Sequence, residues 1–252
     1  MKSILITGGS GKVGFQLVKH FLNKNFKVVT TTRNSKKFKD NFSQKLDESK
    51  MSNLLIIEVD FTHDNAIEII TKNLQENDVF LENIVHNARC LDYLKIEEDN
   101  TVSTENFSGE FYLDVIFPYH LNLEIINQQK GELKNIIFIS SIYGVVAPTP
   151  TLYDDLHKSS PINYGVSKAA QIHLVKELAV RLGPEIRVNC VSFGGIKGRT
   201  NKEFLERYSS LNPLRKMLEE IDVVAPVDFL VSEGSSNMTG QNLIIDGGWT
   251  IW

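Results

Sequence analysis

Apolar residues along the chain fall into short, nearly continuous runs separated by longer stretches with helical periodicity. The runs Ile4–Ile6, Phe26–Thr32, Leu54–Ile57, Asn83–His86, Asn135–Ser140, Ile186–Ser192 and Asn242–Asp246 predict strands. After the first of them, Val13, Leu17, Val18, Phe21 and Leu22 recur on one helical face. Ala66, Ile67, Ile70 and Leu74 predict a second helix, and a long amphipathic pattern spans Tyr164–Leu182. Another helix is expected near Phe107–Ile126, whereas Lys36–Ser49 is polar and helical at most. Strands apolar on both faces and alternating with helices predict an α/β protein: a single-domain Rossmann fold, its doubly wound parallel sheet of about seven strands covered by helices on both faces. No repeat or low-complexity linker divides residues 1–252. A polar insertion near 147–162 and a substrate-loop region near 194–220 are the expected elaborations. In such a sheet, ligands bind beyond the carboxyl ends of the strands, and the motifs that carry chemistry fall there.

The first is "ILITGGSGKVG", in which Gly8, Gly11 and Gly14 lie three apart between a strand and a helix. Glycine there permits a tight turn, backbone approach to a pyrophosphate and close packing of helix on strand. The helix start then offers free N–H groups and partial positive charge to the phosphates. At the end of the second strand, "VVTTTRNSKKFK" places Arg33 where NAD-preferring folds carry an acid, with Lys36, Lys37 and Lys39 close behind. A guanidinium suits a 2′-phosphate, so NADP(H) is the preferred cofactor, with NAD(H) second. Lys12 is expected to lean out of the loop towards the adenosine phosphates.

Composition narrows the classes. Charged residues make up 23% of the 252 and the net charge is -4, which gives no field to draw nucleic acid or an anionic membrane. No apolar run approaches the roughly 20 residues of a membrane span. The two cysteines, Cys90 and Cys190, stand beside apolar positions and are expected to be small buried hydrophobes, so no metal site is expected. A cytoplasmic protein is the expectation.

At "YGVSK" a Tyr-x-x-x-Lys pair, Tyr164 and Lys168, sits on one helical face. With "FISSIYG" upstream, and "VSFGGI" and "MTGQNLIIDGGW" downstream, the chain resembles the short-chain dehydrogenase/reductase family over essentially its whole length. The resemblance implies that Tyr164 is the general acid/base, that Ser141 polarises the substrate oxygen, and that Lys168 holds the nicotinamide ribose and favours the phenolate. It also implies cofactor contacts from Gly8, Ser10, Gly11, Lys12, Val13 and Gly14, then from Arg33 and Asn34. Asp60 and Phe61 of "VDFT", Asn87, Ala88 and Arg89 of "HNAR", and Gly194 and Ile196 after the sixth strand complete that set. Asp60 resembles the adenine-binding acid, and could equally cap the helix that follows. Asn87-Ala88 resembles the family's Asn-Ala-Gly segment, though Asn87 could equally be a strand-end turn residue.

Several positions depart from the shorter branch of that family. The glycine loop with Lys12 and the long Ser141–Tyr164 spacing resemble the longer branch, which handles nucleotide sugars. Asp114 stands where the shorter branch has a catalytic asparagine; it either faces Lys168 or caps a helix bend before Pro118. Phe193-Gly194 replaces a Pro-Gly pair, and Gly198 replaces a carboxamide-binding threonine. The stretch after Lys168 is short for a nucleotide-sugar domain and resembles the shorter branch. The expected function is therefore an NADP-preferring oxidoreductase that interconverts a secondary alcohol and a ketone, on a hydroxylated substrate for which a sugar or sugar derivative fits best. A nucleotide-sugar epimerase or dehydratase and a non-catalytic NADP-sensing module are the alternatives. A homodimer or homotetramer is expected, with the Tyr164 helix and the helix near Phe107–Ile126 at its two-fold axes.

Overall fold

The computed structural model of the chain describes residues 1–252 apart from 43, 44, 47, 130 and 199. Seven strands form one wholly parallel sheet: β1 (Ser3–Ile6), β2 (Lys27–Thr32), β3 (Leu54–Glu58), β4 (Asn83–His86), β5 (Asn135–Ser141), β6 (Arg187–Phe193) and β7 (Asn242–Ile245). Their order is β3-β2-β1-β4-β5-β6-β7, so the winding reverses between β1 and β4. The helices are α1 (Lys12–Asn23), α2 (Ser35–Phe42), α3 (Ala66–Glu76), α4 (Thr104–Phe111), α5 (Phe117–Gln128), α6 (Leu156–Ser159), α7 (Ile162–Leu182), α8 (Lys202–Ser210) and α9 (Val224–Val231). Of the polar stretch 36–49, the structure makes α2 helical as far as Phe42, while residues 43, 44 and 47 lie outside the described residues.

The two-residue alternation of each strand sorts its side chains into two cores. Leu5, Val29, Ile84, Ile136 and Val188 point to one face, where α3, α5 and α7 close over them with Ile70, Leu121 and Val175. Ile4, Ile6, Val28, Val85 and Ile137 point to the other, beneath Leu17 and Phe21 of α1 and Val227 of α9. Each fully buried side chain of this size stabilises the fold by about 1.5–3 kcal/mol, so the sheet is fixed by its strands' own sequence. A third, smaller cluster of Ile142, Leu152, Tyr208, Met217 and Trp249 sits under the insertion and the loop after β6. Cys90 and Cys190 are both free and buried, as expected.

Between α4 and α5 the chain makes a π-helical turn, Tyr112–Ile116. Its cause is Pro118, at the start of α5. A proline has no N–H to give to the carbonyl four residues back, and its ring crowds that carbonyl; here the carbonyl is that of Asp114. The turn widens and the Phe117 N–H bonds Tyr112 O instead. The freed Asp114 carbonyl accepts the Gln171 side-chain amide of α7 at 3.1 Å.

His86, at the end of β4, is buried with its ring on Phe138 and Nε2 2.8 Å from Asn122 Oδ1. Burial lowers its pKa from 6.5 to about 4. Its folded value lies below the unfolded one, so the neutral ring contributes full stability above about pH 6.5, and that contribution is lost as pH falls through the window towards 4. Protonation at the lower end should cost up to roughly 3 kcal/mol. Urea unfolding at pH 7 and pH 4.5 should show this loss, and His86→Gln should show a smaller one. Equal losses in the two proteins would remove His86 as the cause.

Candidate active site

The glycine loop is built by hydrogen bonds from strands on both sides of the switch point. Gly8 N–H donates to Thr31 Oγ1 and Gly9 N–H to Thr31 O, each at 3.1 Å. Buried Thr7 Oγ1 accepts the N–H groups of Asn87 and Ala88 at 2.9 and 3.0 Å. The Asn87 side-chain amide donates to Thr7 O at 2.9 Å, so this residue ties the loop to the end of β4. A Cβ on Gly14 would lie 2.4 Å from Gly8 O and 2.7 Å from the Asn87 amide, which excludes any side chain there. Helix α1 then starts at Gly11 with no side-chain cap and no acid in its first turn. A helix N-terminus so stripped of capping groups suits a pyrophosphate, and the residues present fit a dinucleotide.

Around this cradle the expected contacts divide. Arg33, at the end of β2, is exposed; its guanidinium lies 3.6 Å from Asp92 and 3.9 Å from Cys90 Sγ. Asn34 caps α2 instead, accepting the Lys37 N–H at 2.7 Å. Asp60 Oδ1 accepts the N–H and hydroxyl of Thr62 at 3.0 and 2.8 Å, which closes its own turn. Burial pushes that carboxyl up, but the Thr62 bonds and the nearby Arg33 charge outweigh it and the net shift is downward. Phe61 belongs to the core, its ring stacked on that of Phe117 with centroids 4.0 Å apart. Lys12 has its ammonium 3.1 Å from Glu220 and against Gly198, whose missing side chain leaves it room. Ser10 and Val13 lie in the loop and the first turn, with Ser10 exposed. Gly194 pairs with Ile245 O, and Ile196 bridges Leu218 at the base of the loop region. Arg199 of that region lies outside the described residues.

The second half of the site is the first turns of α7, beside the carboxyl end of β5. Lys168 is buried, and its three N–H directions are all used. Nζ donates to Asp114 Oδ1 at 2.9 Å, to Ile139 O at 3.1 Å and to Gln171 Oε1 at 3.4 Å. Burial pulls the lysine's pKa down, but the Asp114 charge and hydrogen bond, with further help from Tyr164 and Glu110, carry it above its ordinary value. Asp114 thus both faces the site and stands in the bend before Pro118. The ring of Tyr164 lies one turn earlier, its centroid 6.0 Å from Lys168 Nζ and 4.6 Å from the Arg89 guanidinium carbon. Tyr143 meets the same ring edge-on at 6.5 Å, and its hydroxyl bonds that of Tyr153 in the insertion. Burial raises both Tyr143 and Tyr153. Ser141, at the end of β5, accepts the Tyr143 N–H at 3.2 Å. A Cβ on Gly144 would lie 2.7 Å from the Lys168 carbonyl carbon, so this glycine lets the strand end approach α7.

The sequence reading missed the polar ladder that joins α4 to α7. Asn163 and Gln171 donate to the carbonyls of Asn106 and Asp114 at 3.0 and 3.1 Å. Between these rungs lie buried Glu110 and Ser167, each with a side-chain oxygen that has no protein partner. Burial, then the Asp114 charge, raises the Glu110 carboxyl to about 7. The signal was present as polar residues at i, i+4 spacing in both segments: 106, 110 and 114, and 163, 167 and 171.

Comparison with known proteins supports the fold and the family. A family model described as enoyl-(acyl carrier protein) reductase matches residues 10–250. The chain is 38% identical to post-translational flagellin modification protein A of Campylobacter coli over 122 residues, 48% of each chain. It is 30% identical to a short-chain dehydrogenase from Leptospira borgpetersenii with bound NAD+, covering 99% of this chain and 92% of that one with a TM-score of 0.85. ElxO with NADP bound is 27% identical, with 100% and 99% coverage and a TM-score of 0.81.

The Lys168–Asp114 pair is fully desolvated, so removing one partner strands the other. Lys168→Met should lose roughly 3–5 kcal/mol of stability by urea unfolding, and adding Asp114→Asn should recover most of it. A loss no larger than that of an exposed ion pair would show that the two charges are not coupled in the interior.

Proposed function

The chain belongs to the short-chain dehydrogenase/reductase family, and from that premise we propose that it is an NADP-preferring oxidoreductase acting on a hydroxylated, sugar-derived ketone or secondary alcohol. That it is an oxidoreductase of this family follows from the match over residues 10–250; the cofactor preference, substrate and residue roles are the proposal. The observation that carries it is the convergence of Ser141, Tyr164 and Lys168 with the glycine cradle at one edge of the sheet.

When bound, the nicotinamide dinucleotide supplies or accepts the hydride. The chain's own residues manage orientation and the proton. The Ser141 hydroxyl accepts from the Tyr143 backbone and keeps its hydrogen for the substrate oxygen. Tyr164 gives its proton to that oxygen as alkoxide charge develops, and takes it back in oxidation. Lys168 would hold the nicotinamide ribose by releasing its longest contact, the one to Gln171 at 3.4 Å. Asp114 and Ile139 would keep the ammonium in place meanwhile.

Arg33 supports the cofactor preference because it is 60% exposed and only loosely paired at 3.6 Å, which leaves most of its fork for a 2′-phosphate. The rim supports a hydroxylated substrate. Insertion residue Asp154 accepts from Arg207 of α8 at 2.7 Å, and the Tyr143 and Tyr153 hydroxyls bond each other. A homo-oligomer is supported by the outward side of α7, where Ile162, Val166 and Val180 are exposed.

NADPH should bind more tightly than NADH by roughly 1–3 kcal/mol in calorimetry. Arg33→Ala should erase most of that margin, and Asp92→Ala should widen it by freeing the guanidinium. Equal affinities in the unaltered protein would contradict the preference. In assays of NADPH with a panel of keto-sugars, Tyr164→Phe should retain cofactor binding and lower turnover by about 10²–10⁴. Near-normal turnover would exclude this tyrosine as the proton donor.

A further inference from the structure

Two departures from the family pattern meet at one ring. Asp114 stands where the shorter branch has asparagine, and its carboxylate lies 2.9 Å from Lys168 Nζ with both groups buried. Arg89 stands where the Asn-Ala-Gly segment has its glycine, and its guanidinium lies over the face of Tyr164. The first change removes positive charge from the neighbourhood of that tyrosine. The second restores it.

The magnitudes favour a real exchange. Lys168 Nζ is 6.0 Å from the Tyr164 ring centre and shares its field with the Asp114 carboxylate in a buried ion pair. The Arg89 guanidinium is nearer, at 4.6 Å, and none of the ion pairs among the described residues at this edge of the sheet involves it. A guanidinium over an aromatic face interacts favourably with the ring's electrons, and more so once the ring carries negative charge. Among the described residues, the other titratable groups facing this ring or its lysine are Glu110 on α4, which feels the charges of Asp114, Lys168 and Arg89, and Tyr143 and Tyr153, whose hydroxyls bond each other. With Asp114 and Glu110 on the acidic side and Lys168 on the basic side, Arg89 is the cation that tips the balance.

We propose that Arg89 is a positioning residue that takes over from Lys168 the electrostatic support of the Tyr164 phenolate, compensating for Asp114. This rests on the reading of Tyr164 as the acid/base and goes beyond it, because the family's tyrosine is served by its lysine. It also predicts that the two positions are coupled: arginine at 89 matters because an acid stands at 114.

The test needs neither substrate nor turnover. Tyrosine labelled with 13C at Cζ reports ionisation of each ring by NMR, and Tyr164→Phe identifies the Tyr164 signal. The full chain is titrated without cofactor and again with NADP+. For one charge 4.6 Å from the ring centre at an effective dielectric of about 50, Arg89→Met should raise the Tyr164 midpoint by about one pH unit. Arg89→Lys should restore most of that shift. Adding Asp114→Asn to Arg89→Met should restore it too, by releasing the field of Lys168. A midpoint unmoved by Arg89→Met overturns the proposal. A raised midpoint that Asp114→Asn fails to bring back overturns the compensation. Arg89 is exposed, so its variants do not disturb the core. A failure of the substrate or cofactor reading would leave the cofactor-free titration unaffected, which keeps the two questions apart.

Discussion

A buried ammonium has to be answered on every side, and the half of this molecule around the candidate site is arranged to meet that requirement at Lys168. An isolated charge in the interior would cost many kcal/mol, so it is tolerated only with a counter-charge and full hydrogen bonding. Asp114 supplies the charge, Ile139 of β5 a carbonyl, and Gln171 the third acceptor. These partners come from the turn between α4 and α5, from the central sheet and from α7 itself. Satisfying one side chain therefore locks three elements together. Tyr164, one turn earlier on α7, inherits its position from that lock.

The same constraint explains an irregularity that would otherwise look like a defect. Pro118 denies Asp114 its helical hydrogen-bond partner and forces a π turn. The turn leaves the Asp114 carbonyl for Gln171 while the carboxylate of the same residue reaches Lys168. A wide turn next to a functional group is a common use of π geometry. Here a local backbone cost is offset by two contacts across the helix pair, both buried.

Much of this was legible in the sequence. All seven strands were visible as apolar runs, because a parallel sheet covered on both faces admits little else. The glycine loop and the Tyr164–Lys168 pair were visible because their chemistry depends on residue type and short spacing. What failed to be legible depended on partners distant in the chain. Lys12 pairs with Glu220, far along the chain, which its own neighbourhood does not announce. Phe61 stacks its ring on Phe117, a partner likewise distant in sequence. Asp60 closes its own turn on Thr62 and does not cap α3, whose N-cap is Asn65, while Asn87 ties the loop to the end of β4. Helix α9 escaped notice because "VAPVDFLV" is apolar nearly all round and carries Pro226, which reads as a breaker although a first-turn proline is tolerated.

The site that results is held by charge balance more than by shape, with two buried acids and one buried base behind an exposed arginine. The most direct measurement of the account is a crystal structure of the chain with NADPH. It should show the pyrophosphate on the first turn of α1, the 2′-phosphate at Arg33, and Lys168 bound to the nicotinamide ribose while still paired with Asp114. A cofactor seated with its nicotinamide away from Tyr164, or a Lys168 that leaves Asp114 or never meets the ribose, would contradict it.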